Sequence, residues 1–253
     1  MIHAALIRAS TAPYSKLAPN YDATVGIPFF LQIRRAFEQL IRRYGITFRT
    51  AADIGCGTGL FASYLNRSWG VPVVAVDISA DMLRFAARNC RGLKVCLLRQ
   101  DIRSLKLPQP VDLITCNFDT LNHLTGDGDL LRTFRAVANN LRRGGHFIFD
   151  MVMDCQPLGG TQRYVRRFYS AQRIVKQYVS WQPARKLLSM VVSIHSRNRP
   201  PILERYLERA YSAAEIGRAL LDAGFVIRGT HDPITLKMPS ECPPRIMVVA
   251  QKR

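Results

Sequence analysis

Hydrophobic residues recur at helical spacing in the first long patterned segment of the chain, from Pro28 to Arg43. Phenylalanine, isoleucine and leucine return there every three or four residues, with arginines between them. A stripe of this kind predicts an amphipathic helix that covers an apolar surface. Together with the residues before it, this helix predicts an N-terminal helical lid over residues 1–45.

From residue 46 the pattern changes to short apolar strands that alternate with helices. The sequence predicts strands at 49–54, 72–77, 93–98, 111–117 and 146–152, and helices at 59–68, 79–89 and 127–141. Arg142 and Arg143, followed by two glycines, indicate the end of the last of these helices. Buried strands joined by helices are typical of a parallel sheet that is covered on both faces.

The alternation stops between about residues 159 and 210. Successive β-rich segments at 163–170, 173–180, 187–196 and 202–209 predict a small antiparallel sheet. A helix after Ser212, which forms a capping box with Glu215, and strands at 225–229 and 245–251 then complete the core. We expect an α/β fold: a Rossmann-like, seven-stranded, mostly parallel sheet with helices on both faces, plus an antiparallel β insertion. The predicted divisions are a lid at 1–45, a cofactor-binding core at 46–154, the insertion at 155–210 and a C-terminal completion of the core at 211–253.

Composition fits a globular chain. Of the 253 residues, 48% are hydrophobic and 21% are charged, which argues against disorder or a fibrous repeat. No apolar run approaches the roughly 20 residues that cross a bilayer, so we expect a cytoplasmic monomer or homodimer that does not enter membranes. The six cysteines form no Cys-x-x-Cys pair, and we expect them to be reduced, with no metal site.

A glycine-rich turn, Ala-Ala-Asp-Ile-Gly-Cys-Gly-Thr-Gly at residues 51–59, follows the first strand of the core. An open parallel sheet binds ligands at this place, beyond the carboxyl ends of its strands. Leu60 stands where a dinucleotide motif needs its third glycine, and no Gly-Lys-Ser/Thr follows. The turn therefore favours a cofactor without a pyrophosphate, and Asp53 before it suits an amine-bearing ligand.

Two more acidic residues follow strand ends. Asp77 ends the second strand, where a carboxylate can accept hydrogen bonds from both ribose hydroxyls. Asp101 follows the third strand, where a carboxylate and the next backbone N–H can read adenine. Each residue alone could instead cap a helix or turn. Their order after the glycine turn favours a nucleoside cofactor.

With these motifs the chain, from about Tyr14 onward, resembles class I S-adenosylmethionine-dependent methyltransferases. The resemblance rests on the turn at 53–59, on Val76-Asp77-Ile78-Ser79, on Gln100-Asp101-Ile102 and on the segment 112–124. It implies S-adenosylmethionine as cofactor. In the binding site that it implies, the methionine part is held by Gly55, Gly57, Asp53 and the Asn117 backbone carbonyl. Asp77 binds the ribose there. Asp101 meets the adenine amino group, and the adenine ring lies between Ile78 and Ile102. Tyr21 resembles a residue of the N-terminal lid in this family.

Methyl transfer is a displacement at carbon in which the enzyme mostly aligns the reactants. Asp119 and His123 follow the fourth strand, on the edge that faces the methyl group, and they are the candidate catalytic residues. His123 is the leading candidate for a base because histidine takes up a proton near neutral pH. It could equally bond to backbone at a helix start. No Asn/Asp-Pro-Pro-Tyr or Pro-Cys motif follows this strand, so the resemblance is closer to small-molecule N- and O-methyltransferases.

The net charge of +18 is concentrated in one part of the chain. Between Cys155 and Leu203 there are nine basic residues and no acidic one, interleaved with aromatic side chains. Such a stretch could clamp a phosphate-bearing molecule or bind RNA. We predict methyl transfer to N or O of a small acceptor, with phosphorylated and anionic compounds among the options. The alternatives are an RNA or protein methyltransferase that uses the basic 155–203 insert, and a non-catalytic module that binds S-adenosylmethionine.

Overall fold

The computed structural model describes residues 14–154, 163–170, 173–197 and 199–253. The first elements of the described residues are three consecutive helical pieces: α1 (Ala18–Tyr21), a π-helical turn (Asp22–Gly26) and α2 (Ile27–Arg43). The core alternates strands and helices: β1 (Ala51–Ile54), α3 (Leu60–Trp69), β2 (Val73–Asp77), α4 (Ala80–Asn89), β3 (Val95–Arg99), β4 (Val111–Cys116), α5 (Asp129–Asn139) and β5 (Leu141–Val152). Short 3-10 turns lie at Ile102–Ser104 and Thr120–His123.

The second part of the chain consists of an antiparallel sheet and the end of the core. Its elements are β6 (Arg163–Ser170), β7 (Arg173–Gln182), β8 (Leu187–Ser196), β9 (Arg199–Arg209), α6 (Ala213–Asp222), β10 (Phe225–His231) and β11 (Arg245–Lys252). Ser212 and Glu215 form the predicted capping box at the start of α6.

Seven strands form the central sheet in the order β10-β11-β5-β4-β1-β2-β3. All pairs are parallel except those of β11, which runs antiparallel to β10 and β5. One face buries Phe134 of α5 and Leu220 of α6, and the other face buries Phe37 of α2 and Phe61 of α3. Apolar area removed from water on both faces is the main stabilising contribution to such a sheet. The predicted Rossmann-like fold is confirmed.

The antiparallel insertion follows β5 as predicted, with strand order β6-β7-β8-β9. Its inner face packs on the N-terminal segment, where Leu17 joins Val179 and Met190 in one apolar cluster. The Asn122 side chain fastens both ends of the insertion, because its Nδ2 donates to the carbonyls of Val152 (2.9 Å) and Arg209 (2.7 Å). The four-part division of the chain given above stays a prediction.

The end of α5 differs from the prediction. The helix ends at Asn139, and the Arg142–Gly145 segment, predicted as the helix stop, lies in β5. Tertiary contacts decide this: the Asn140 carbonyl accepts from the Val111 backbone N–H at 3.0 Å. Arg142 forms an ion pair with Asp112 of the neighbouring strand at 2.6 Å. The two arginines therefore belong to the strand rather than to the end of a helix.

The expectation that all cysteines are reduced is wrong for Cys242, which is disulfide-bonded. Cys56, Cys90 and Cys116 are free and buried, and Cys96 is free but exposed. Spacing along the chain does not reveal which sulfurs meet in space. Within the described residues, no helix is long and apolar enough to span a bilayer.

Candidate functional site

The glycine turn between β1 and α3 is held by Asp77. Gly55 has φ +67°, and a Cβ there would lie 2.2 Å from the Thr120 Cγ2, so only glycine fits. The backbone N–H of Gly57 donates to Asp77 Oδ2 at 2.8 Å, while that of Ser79 donates to Asp77 Oδ1 at 2.8 Å. One carboxylate thus ties the turn to the end of β2.

A cavity of about 300 Å³ opens at the carboxyl ends of the parallel strands, and we call it the sheet-edge cavity. It brings together seven of the nine residues that were predicted to bind the cofactor: Tyr21, Gly55, Gly57, Asp77, Ile78, Asp101 and Ile102. This lining suits a nucleoside with an attached amino acid. It offers a carboxylate at the end of β2, two isoleucines, and glycines that allow a ligand to approach the backbone closely.

Asp53 and Asn117 are not among the residues that line this cavity. Both side chains are buried. Burial raises the pKa of Asp53 to about 7, although Thr115 Oγ1 donates to its carboxylate at 2.8 Å. The Asn117 carbonyl accepts from Thr120 Oγ1 at 2.8 Å. These two predicted contacts therefore lie outside the lining of the cavity.

Asp101 forms an ion pair with an arginine that the sequence analysis did not single out. Arg103 Nη2 lies 2.6 Å from Asp101 Oδ2 and Arg103 Nη1 lies 3.1 Å from Asp129 Oδ2. The hydrogen bonds that the Arg103 side chain donates to Asp101 lower the pKa of the Asp101 carboxyl group. All three side chains line the sheet-edge cavity, so a bound adenine would meet a charged network rather than one carboxylate.

A second cavity of about 480 Å³ lies under the antiparallel insertion, and we call it the insertion cavity. Most of its wall is apolar, for example Val25, Phe29 and Met190. Its polar lining residues are Tyr14, Tyr21, Gln32, Asp119, Gln177, Tyr206, Glu208, Asp232 and Arg245. Tyr14, Tyr21 and Phe118 line both cavities, so molecules bound in the two would meet at these rings.

His123 lies at this junction and lines the sheet-edge cavity. Its Nε2 is 2.8 Å from the Tyr14 hydroxyl oxygen and 3.7 Å from Glu208 Oε1. Burial lowers the pKa of His123, while the charge of Asp119 and a hydrogen bond with the Leu207 backbone act in the opposite direction. Burial also raises the pKa of Tyr14 well above its usual range. Burial therefore favours a protonated phenol and a neutral imidazole, and the tautomer of His123 sets which of the two groups donates the hydrogen bond.

Asp119 lines the insertion cavity but is held in an ion pair with Arg245. Arg245 also pairs with the buried Asp150, whose Oδ1 accepts from the Phe118 backbone N–H at 2.7 Å. Phe118 and Asp119 both have left-handed backbones, with φ of 60° and 59°. Such a conformation is costly for these residues and is maintained by the surrounding contacts. Asp119 is therefore part of a charged cluster that shapes the junction of the cavities.

The sequence analysis missed the polar side chains that β9 contributes. Glu204, Tyr206 and Glu208 are all buried, whereas Arg205 and Leu207 between them are exposed. Alternate residues of a strand point to the same face, so the repeated polar residues at spacing two were the available signal. Gln177 Nε2 donates to the Tyr206 hydroxyl at 3.0 Å and so connects β7 to the same polar cluster.

The basic residues of the insertion do not reach the cavity where their side chains are described. Lys176, Arg185, Lys186 and Arg197 are all absent from its lining. Lys186 instead forms an ion pair with Asp154 at 2.9 Å. Among the described residues, no group of three or more His, Cys, Asp or Glu is placed to hold a metal ion.

Comparison with known proteins shows a family match in the core. Residues 51–145 match the family model described as a methyltransferase domain. A dTDP-3-amino-3,6-dideoxy-alpha-D-glucopyranose N,N-dimethyltransferase of Streptomyces fradiae is 34% identical over 36% of this chain and 34% of its own length. A ubiquinone biosynthesis O-methyltransferase of Serratia proteamaculans is 30% identical over 45% of this chain and 46% of its own length.

The solved structures match over nearly the whole chain. An S-adenosylmethionine-dependent methyltransferase of Clostridium acetobutylicum superposes with a TM-score of 0.80 and 26% identity, covering 95% of this chain and 99% of that one. A sugar N-methyltransferase of Streptoalloteichus has a TM-score of 0.70 at 17% identity, covers 99% of this chain and 97% of its own, and is similar in fold. The chain spans between 34% and 57% of the length of the first four curated relatives.

Proposed function

We propose that this chain is a class I S-adenosylmethionine-dependent methyltransferase that methylates N or O of a small molecule in the insertion cavity. The domain match and the fold support the predicted class and its cofactor, S-adenosylmethionine. The observation that carries the proposal is that two cavities meet at Tyr14, Tyr21 and Phe118. In-line displacement requires donor and acceptor on opposite sides of the methyl group, and adjoining cavities provide that alignment.

The sheet-edge cavity is the proposed cofactor site. Asp77 would accept from the ribose hydroxyls, while Ile78 and Ile102 would enclose the adenine ring, and Gly55 and Gly57 would allow the methionine part to approach the backbone. When bound, S-adenosylmethionine supplies a methyl group on a positively charged sulfur. The contact of Asp101 with adenine stays a prediction. The contacts of Asp53 and the Asn117 carbonyl with the methionine ammonium also stay predictions, and these two residues are absent from the lining of the cavity.

His123 and Tyr14 form the proposed proton acceptor. The acceptor atom uses its lone pair to bond the methyl carbon, and the carbon–sulfur bond breaks with its electron pair left on sulfur. In the His123 tautomer with an unprotonated Nε2, a proton released by the acceptor would move to the Tyr14 oxygen as the phenol proton moves to Nε2, across the 2.8 Å hydrogen bond. The charge of Asp119 favours the resulting imidazolium, because it acts to raise the pKa of His123.

Labelled S-adenosylmethionine tests the proposal directly. We expect the label to enter a small-molecule extract from which macromolecules have been removed. Label found only in RNA or protein would contradict a small-molecule acceptor and support the alternative of a macromolecular substrate. Cofactor binding without transfer to any pool would support the non-catalytic alternative.

A further inference from the structure

The residues that join the two cavities share one property. Among the described residues, Tyr14, Tyr21 and Phe118 line both the sheet-edge cavity and the insertion cavity, and all three are aromatic. Donor and acceptor must meet in line across the methyl group, so the proposed function places the methyl-bearing sulfur beside these rings. The sulfur of S-adenosylmethionine is positively charged, whereas that of the product, S-adenosylhomocysteine, is neutral. The rings therefore adjoin the cofactor atom that loses its charge in the reaction.

Neutral aromatic rings at this position would favour the charged form of the cofactor. An aromatic ring attracts a cation through its negative π-face, and the attraction is strongest where water is excluded. Burial raises the pKa of both Tyr14 and Tyr21 well above the usual range, so both phenols stay uncharged. The two rings lie edge-to-face with their centroids 5.8 Å apart. A sulfonium beside them would be stabilised by their π-systems, whereas a neutral sulfide would not be stabilised in this way.

The π-helical turn at Asp22–Gly26 fixes the position of the Tyr21 ring. Gly26 has helical backbone angles, φ −63° and ψ −54°, so the conformation itself does not require glycine. Space requires it, because a Cβ at Gly26 would lie 2.9 Å from Tyr21 Cδ1 and 3.0 Å from Tyr21 Cε1. The backbone of the turn therefore packs directly against one side of the ring. Interruptions of a helix by π-helical turns are frequent at functional sites.

The π-helical turn is also fastened to the glycine turn of the cofactor site. Thr58 Oγ1 donates to Asp22 Oδ1. Asn89 Nδ2 donates to Asp22 Oδ2 at 3.1 Å and to the Thr58 carbonyl at 2.9 Å. Hydrogen bonds to a carboxylate are stronger than those between neutral groups. Tyr21, the neighbour of Asp22, is therefore held in a fixed position relative to the turn that the methionine part of the cofactor approaches.

From these contacts we propose that the Tyr21 ring recognises the positive charge of the methyl donor, and that Gly26 is the positioning residue that holds the ring there. The inference rests on the proposed function and adds how the same site distinguishes the donor from the product. Transfer of the methyl group removes the charge, so the attraction to the ring is lost and release of the product is favoured. A role of Tyr21 in the fold alone would affect charged and neutral ligands equally.

Three ligands of the cofactor site separate recognition of charge from recognition of shape. S-adenosylmethionine and sinefungin carry a sulfonium and an ammonium at the reacting position, and S-adenosylhomocysteine carries a neutral sulfide. Each is titrated calorimetrically into the full chain. In Tyr21→Leu the affinity for both cations should fall on the order of tenfold more than that for S-adenosylhomocysteine. Tyr21→Phe keeps the ring and should keep the wild-type ratios of affinity to within about twofold.

Gly26→Ala tests the positioning of the ring. Alanine suits a helical backbone better than glycine, so the melting temperature should not fall, but the added methyl displaces the Tyr21 ring. The preference for the cations should then fall about threefold or more. Gly217→Ala is the matched control, because this glycine also lies in a helix and the nearest atom to its added Cβ is Ile227 Cδ1 at 3.8 Å. It should leave all three affinities unchanged.

The proposal is overturned if Tyr21→Leu weakens all three ligands by the same factor, if Gly26→Ala keeps the wild-type ratios, or if none of the three binds. Thermal unfolding checks that each variant is folded, and the pair Tyr21→Leu and Tyr21→Phe decides the matter if Gly26→Ala is not. These titrations need no acceptor. Recognition of charge without methyl transfer to any small molecule would refute the proposed function and leave the recognition by Tyr21 intact.

Discussion

Replacing Asp77 with asparagine tests the cofactor site without changing the shape of the side chain. The two carboxylate oxygens of Asp77 accept from the backbone N–H groups of Gly57 and Ser79, each at 2.8 Å. Each oxygen still has a lone pair for a ribose hydroxyl. Asparagine keeps one of these two oxygens. The other is replaced by an amide NH₂ group, which cannot accept a hydrogen bond from the backbone N–H that it would face.

The size of the expected effect follows from these bonds. Hydrogen bonds to a charged group contribute about 1.5–3 kcal/mol each, and the variant loses one to the ribose and weakens the other. We expect the binding free energy of S-adenosylhomocysteine to fall by about 2–3 kcal/mol, which corresponds to roughly 30- to 150-fold in Kd. Burial raises the pKa of Asp77, so the titration belongs at pH 8, where the carboxylate is ionised to the greater extent.

Isothermal titration calorimetry measures this affinity, and thermal unfolding without ligand reports any damage to the turn itself. Asp81→Asn is the matched control, because Asp81 pairs with Arg84 in the first turn of α4 and does not line the cavity. An Asp77→Asn protein that binds within about threefold of the wild type, at an unchanged melting temperature, would refute the assignment of Asp77 to the ribose.

His123→Ala should leave S-adenosylhomocysteine binding intact while turnover falls by about 10²–10⁴-fold, as measured with labelled cofactor. Burial lowers the pKa of His123, so a neutral imidazole and the activity that depends on it should persist until the pH falls through this lowered pKa. Loss of activity that already begins above pH 6.5, the ordinary pKa of histidine, would contradict this. Asn122→Ala should lose about 2–4 kcal/mol of unfolding free energy in denaturant titrations, whereas Asn139→Ala, at an exposed position, should change it little. Gly55→Ala should abolish cofactor binding, whereas Gly45→Ala, also at positive φ but with no atom within 4 Å of the added Cβ, should retain it.

Local patterns were sufficient for most of the fold. The helix at Pro28–Arg43 and the strands at 163–170 and 187–196 agree with α2, β6 and β8 to within one residue, because periodicity at 3.6 and 2 residues reflects which side is buried. The end of α5 was misjudged because its signal, Arg142 and two glycines, is also compatible with a strand. The ion pair of Arg142 with Asp112, on a different strand, decides between them.

The glycine turn could be predicted because it lies in one short segment whose backbone conformation depends on its own residues. The sequence therefore determined the fold class, the turn and the order of Asp77 and Asp101 after it. Only the tertiary structure decided that Glu208 of β9 lies 3.7 Å from His123 and that Arg245 forms an ion pair with Asp119. These contacts join distant parts of the chain, and their charges depend on burial, which no local pattern specifies. The insertion cavity depends on that arrangement, whereas the glycine turn lies in one continuous stretch of the sequence.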